Sequence, residues 1–137
     1  MKIDHVGIIV RDLEKAIRFY NGLLEQPMIL EENQGWISAI IQTESGKLEL
    51  MQPTSEESPV GKALAKRGEG IHHMAIEVDD VQTYLDKAEK LGLTLIDKHP
   101  RRGSEERMIA FLHPRDLNGV LLEFNMPGPE EKKGHKP

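Results

Sequence analysis

The strongest constraint on the fold is that the chain repeats itself. Ile3-Asp4-His5-Val6-Gly7-Ile8-Ile9-Val10-Arg11-Asp12 aligns without gaps on Ile71-His72-His73-Met74-Ala75-Ile76-Glu77-Val78-Asp79-Asp80 at a constant offset of 68, so His5 equates with His73. Each copy is followed by a helical pattern and then by a strand carrying a glutamate four positions before a proline, Glu49 with Pro53 and Glu123 with Pro127. Two half-folds related by a pseudo-twofold axis bring two imidazoles and two carboxylates to a shared centre. That donor set suits one divalent cation.

Within the first segment, alternation puts Val6, Ile8 and Val10 on one face and Ile3, His5, Gly7 and Ile9 on the other, so His5 points away from the face that a following helix covers. Asp12 is placed to cap a helix from Leu13 to about Leu24, striped by Leu13, Ile17, Tyr20 and Leu24. Residues 27–52 read as three short strands broken at Asn33-Gln34-Gly35 and Glu44-Ser45-Gly46. A connection over 54–69 holds a short helix introduced by Ser58-Pro59.

The second half repeats the order. A strand at 71–78 leads to an Asp80-capped helix stopped by Gly92, then to strands near 93–98, 107–113 and 119–125. The expected fold class is α+β, two βαβββ modules in one domain over 1–127: module one over 1–53, the connection over 54–69 and module two over 70–127. Residues 128–137, polar and without apolar periodicity, read as a disordered tail, and His135 within it is set aside as a ligand.

Composition narrows the chemistry. With no cysteine among 137 residues, neither disulfides nor thiolate metal sites are available, and a metal must be held by nitrogen and oxygen. A formal charge of −5 argues against nucleic acid as partner. No apolar run reaches membrane-spanning length, so no membrane partner is expected, and the first strand begins directly after Met1, which points to the cytoplasm.

Parity separates the adjacent histidines. His72 falls with Met74, Ile76 and Val78 on the helix side, leaving it a packing or supporting role, while His73 falls with Ala75 on the other side, where Gly7 and Ala75 leave room. Glu49 lies between Leu48 and Leu50, and Glu123 between Leu122 and Phe124; a half-buried carboxylate needs a partner. One divalent cation bound by His5, Glu49, His73 and Glu123 satisfies all four and leaves two positions of an octahedral ion open to a chelating substrate. Cobalt, zinc, nickel and manganese all accept this mixture of donors. The clusters Lys62, Lys66, Arg67 and Lys98, Arg101, Arg102, Arg107 read as solvated charge, or as contacts for an anionic substrate. Gly35 and Gly103 read as turn residues, and no phosphate-cradling loop or nucleophile elbow is present.

These modules resemble the vicinal oxygen chelate (glyoxalase/bleomycin resistance) superfamily. The resemblance covers residue 2 to about 126 and is nearest to the methylmalonyl-CoA epimerases. It rests on Ile3-Asp4-His5-Val6-Gly7-Ile8, Glu49-Leu50-Met51-Gln52-Pro53, Ser58-Pro59-Val60, Lys66-Arg67-Gly68-Glu69-Gly70-Ile71-His72-His73-Met74-Ala75, Phe111-Leu112-His113-Pro114 and Gly119-Val120-Leu121-Leu122-Glu123. It implies a divalent metal on His5, Glu49, His73 and Glu123, inversion at the α-carbon of methylmalonyl-CoA or a similar acyl-CoA through an enediolate, Glu123 as one acid/base, and a homodimer.

Two departures stand out. Glu49 replaces the glutamine of some epimerases and matches glyoxalase I. Ser38 occupies the place of a second catalytic glutamate, three residues after Gly35, leaving Glu31, Glu32 or a metal-bound water as proton carrier. The alternatives are a glyoxalase I-type isomerase acting on a glutathione thiohemiacetal and a non-catalytic ligand-binding module of the same fold.

Overall fold

In the computed structural model, which describes residues 1–128, the alternating first segment is strand β1 (Lys2–Ile9). Helix α1 (Leu13–Leu24) follows, and the Asp12 carboxylate accepts from the Lys15 N–H as its cap. Strands β2 (Met28–Asn33), β3 (Trp36–Thr43) and β4 (Gly46–Pro53) form an antiparallel meander, with Gly35 at φ +97° closing the first turn. Helix α2 (Pro59–Arg67) begins at Ser58, whose hydroxyl accepts from the Gly61 N–H, and has proline in its first turn. The second half runs β5 (Gly70–Glu77), α3 (Val81–Lys90), β6 (Arg101–Arg102), β7 (Met108–Leu112) and β8 (Leu122–Met126). Each half is thus βαβββ, with strand order β2-β3-β4-β1 in the first and β5-β8-β7-β6 in the second.

Packing divides the chain into two compact units. One is Asp4–His73; the other joins Met1–Ile3 to the chain from Met74 onward. In the first, β1 runs parallel to β4 and α1 covers one sheet face, burying Val10, Leu13, Ala39, Ile41 and Leu50. The opposite face is not left open along its whole length: Ile9, Met51 and Val60 pack together beneath α2, joined by Trp36, Ala63 and Leu64. In the second, α3 lies on β7 and β8, with Val81, Leu85, Ala88, Ala110, Leu112 and Phe124 in the core.

Three expectations are corrected. No strand forms over 93–98. A single bridge, Leu95 to Leu112, replaces it, because side chains take the ladder's donors: Asp116 accepts from the Thr94 N–H and Asp97 from the Phe111 N–H. Asp80 precedes α3, but its carboxylate accepts from the Thr83 hydroxyl rather than from a backbone N–H. Arg107 is not solvated charge. It is only 7% exposed, and its Nη2 donates to Glu77 and to Asn125 Oδ1. The tail over 129–137, with His135, lies outside the described residues. Among the described residues no helix is long and apolar enough to cross a membrane.

Arg107 is the buried partner, whereas Glu77 is half-buried with Lys2 Nζ 3.7 Å from its other oxygen, so stranding Arg107 costs more than stranding Glu77. Glu77→Met is expected to lower the unfolding free energy in equilibrium denaturation by up to the ~3 kcal/mol of a broken buried pair, with Arg107→Met in the same chain recovering part of the loss.

Candidate metal centre

Sheet register brings three of the four expected ligands together inside the unit Asp4–His73. In the parallel β1–β4 pair Gly7 lies opposite Glu49, so the Glu49 carboxylate projects from the same face as His5, two residues along β1. The His73 ring enters this face over Gly7. A Cβ on Gly7 would stand 2.2 Å from His73 Cε1, so only glycine admits the ring. His5 Nε2 and His73 Nε2 are 2.9 Å apart, and Glu49 Oε1 lies 3.6 Å from the first and 3.8 Å from the second.

These separations can be tested against an ion. Donors about 2.0–2.2 Å from one cation are themselves about 3 Å apart at right angles and about 3.5 Å apart at the tetrahedral angle. The 2.9 Å edge between the imidazoles fits the right-angle value, and the 3.6 and 3.8 Å edges to Glu49 are slightly wider than the tetrahedral one, so His5, His73 and Glu49 could close on one ion.

The remaining ring nitrogens support the same reading. His5 Nδ1 donates to Asp4 Oδ2 at 2.7 Å, since a carboxylate only accepts, and a ring that holds its proton there has Nε2 to offer to a metal. Asp4 is itself buried, with Lys47 Nζ 3.6 Å from its other oxygen. His73 Nδ1 lies 2.9 Å from His72 Nδ1. Burial, with His5 and His72 beside it, holds His73 well below its usual range, so it stays neutral and competent to bind a metal. Burial, with Arg67 adding to it, lowers His72 to about 4. His72 therefore supports His73 through Nδ1, in line with the supporting role its parity gave it. Carboxylate and imidazole partners of this kind fix tautomer and ring orientation in metal sites.

The carboxylates are held separately. Ser38, fully buried on β3, donates its hydroxyl to Glu49 Oε2 at 3.1 Å. Glu123 lies on β8 in the other unit, buried, with Asn125 Nδ2 donating to its Oε2 at 3.3 Å and Arg107 donating to that amide's oxygen. Asp4, Ser38 and Asn125 were not singled out in the sequence as supports for the ligands. The available signal was a polar residue inside, or paired in register with, a strand that carries a ligand.

The buried neutral histidines make stability depend on pH. His72 binds its proton near 6.5 when unfolded but only near 4 when folded, so the unfolded chain is favoured as pH falls through that window. The metal-free protein is expected to lose on the order of 2–3 kcal/mol from this group between pH 6.5 and 4. In urea titrations at several pH values, His72→Gln should flatten that slope.

A family model described as Glyoxalase/Bleomycin resistance protein/Dioxygenase superfamily matches residues 4–111. The uncharacterised protein YqjC of Bacillus subtilis is 35% identical over 138 residues, covering 98% of this chain and 99% of that protein. The ethylmalonyl-CoA/methylmalonyl-CoA epimerase of Cereibacter sphaeroides is 33% identical over 128 residues, covering 90% and 96%. The structure of a Streptomyces coelicolor methylmalonyl-CoA epimerase in complex with 2-nitronate-propionyl-CoA gives a TM-score of 0.85 at 36% identity, covering 94% of this chain and 96% of that one. A chain so matched along its length, with its paired βαβββ halves, belongs to the glyoxalase/bleomycin resistance protein/dioxygenase superfamily.

Proposed function

We propose that this protein is a divalent-metal-dependent acyl-CoA epimerase of the cytoplasm, with methylmalonyl-CoA as its substrate, and that Glu123 joins His5, Glu49 and His73 as the fourth ligand. The observation that carries the reading is the convergence of two imidazole nitrogens and one carboxylate oxygen within 2.9–3.8 Å of one another, each group oriented by a buried neighbour. Epimerase relatives that match nearly the whole chain supply the reaction class. A bound dication contributes Lewis acidity toward a thioester carbonyl and the neighbouring carboxylate.

The chain's own residues account for the rest. Glu123 carries the α-proton on one side of the substrate carbon, its carboxylate steadied by Asn125. Inversion needs a carrier on the opposite side, and Glu31 is the group the register favours. It pairs directly with Ser38 across β2–β3, so it shares the face of Ser38 and Glu49, whereas Glu32 pairs with Ile37 on the face that α1 covers. Glu31 is half-buried, and the Asn33 amide, with its nitrogen turned toward Glu31 Oε1 at 2.8 Å, holds its carboxylate. The exposed Lys62, Lys66 and Arg67 of α2 offer positive charge to the phosphates of the CoA tail.

The test is solvent exchange. With cobalt or zinc added, the purified protein should exchange the α-hydrogen of methylmalonyl-CoA for deuterium, followed by mass spectrometry. Absence of exchange with every divalent metal tried removes the reading. Glu31→Gln should slow epimerisation about 100-fold or more, the typical contribution of one acid/base group, while hydrogen exchange from one epimer persists.

A second reading, a glyoxalase I-type isomerase acting on a glutathione thiohemiacetal, is favoured by the acidic Glu49. Turnover of methylglyoxal with glutathione in place of methylmalonyl-CoA exchange would select it.

A further inference from the structure

We propose that Ser38 is a positioning residue that fixes Glu49 as a one-oxygen ligand of the metal. The proposal rests on the metal-site reading above and specifies what the Ser38 hydroxyl does to the ligand it supports.

Ser38 has no exposed surface. A hydroxyl in such a place needs a partner, since an unbonded one costs on the order of 1–3 kcal/mol. Its partner is Glu49 Oε2, 3.1 Å away. The two oxygens of that carboxylate thus face different things. Oε1 looks at the two imidazole nitrogens, and Oε2 is engaged by the hydroxyl. On the other side of Ser38 Oγ stands the Asn33 amide at 3.3 Å; with its nitrogen turned toward Glu31 it shows Ser38 an oxygen, a more distant and uncharged acceptor than the Glu49 carboxylate at 3.1 Å.

Register explains why Ser38 reaches. In the antiparallel β3–β4 pair Ile40 lies opposite Glu49 and Ser38 opposite Met51, which puts Ser38 diagonal to Glu49 on the same face. A larger residue there would meet the carboxylate, and an apolar one would leave Oε2 without its donor.

Engaging Oε2 has two consequences for a bound ion. The carboxylate is pinned before the metal arrives, so less rotational freedom is lost on binding. Chelation through both oxygens, which would occupy a further coordination position, is opposed, and that position stays available to substrate. The hydroxyl proton is already committed to Glu49, which also explains why Ser38 is no substitute for a catalytic glutamate at that place.

The experiment is a double-mutant cycle on metal affinity, read by competition of cobalt(II) with a chromophoric chelator, using the full chain and the variants Ser38→Ala, Glu49→Ala and the pair. Removing a partner that orients a ligand typically lowers affinity 10–100-fold. Ser38→Ala should therefore weaken cobalt binding about 10-fold or more in the native background and by less than about 2-fold when Glu49 is already alanine. The visible spectrum of the cobalt complex should change in Ser38→Ala as Oε2 becomes free to coordinate. A loss of equal size in both backgrounds, or no loss in either, overturns the proposal, as does failure of the unaltered protein to bind any dication. Thermal unfolding of each metal-free variant shows that the chain still folds. Because affinity is measured without substrate, a protein that binds cobalt with the expected coupling but exchanges no α-hydrogen disproves the epimerase reading and leaves this one standing. The converse result, exchange without coupling, does the reverse.

Discussion

Two imidazole nitrogens facing each other at 2.9 Å are the constraint on which the rest of the first unit turns. Neutral lone pairs at that separation repel unless a proton or a cation lies between them, and each ring has its other nitrogen engaged by a neighbour, His5 by Asp4 and His73 by His72. Burial opposes charging His73. In the metal-free protein a neutral His73 that accepts from His72 at Nδ1 and carries its proton on Nε2 satisfies the contact; a shared cation would take that proton's place, and the Glu49 carboxylate beside both nitrogens would supply part of its counter-charge.

That juxtaposition depends on two backbone facts. Parallel pairing of β1 with β4 sets Gly7 against Glu49, and the missing Cβ of Gly7 leaves the space into which the His73 ring fits. A one-residue slip of β4 would turn Glu49 toward α1, where Ala39, Ile41 and Leu50 form a packed apolar cluster and no donor waits for a carboxylate. The apolar face thus enforces the register that the polar face needs. The α2 helix adds a second lock by burying Ile9 and Met51 beneath Val60, so the functional face is closed at one end and its ligands lie in a confined setting rather than on an open sheet.

How much of this was legible in the sequence follows from which interactions are periodic. The elements of the first half, the paired His5 and His73 and the orientation of Glu49 obey alternation or repeat spacing, and they stand where that spacing puts them. What escaped is set by side chains bonding off-pattern. Asp116 and Asp97 take donors that a strand over 93–98 would have used. Arg107 belongs to a cluster of basic residues and looks like surface, yet Glu77 and Asn125 draw it inside. Asp4 shares the parity of Val6 and Ile8, so alternation assigns it to the apolar face; its bond to His5 Nδ1 is a contact between sequence neighbours that no period of two describes.

The same reasoning separates the two glutamates that the repeat makes equivalent. Glu49 is held by a neutral hydroxyl from the neighbouring strand, a short and uncharged support that fixes one oxygen. Glu123 is held by an amide two residues along its own strand, and that amide is tied in turn to the buried guanidinium of Arg107 and through it to Glu77. A network that ends on a buried cation polarises its members, so the amide that donates to Glu123 is itself held in place. The repeat thus places a glutamate at matching positions while the supporting groups diverge: a single hydroxyl from the neighbouring strand on the Ser38 side, and on the Arg107 side an amide anchored by a buried ion pair.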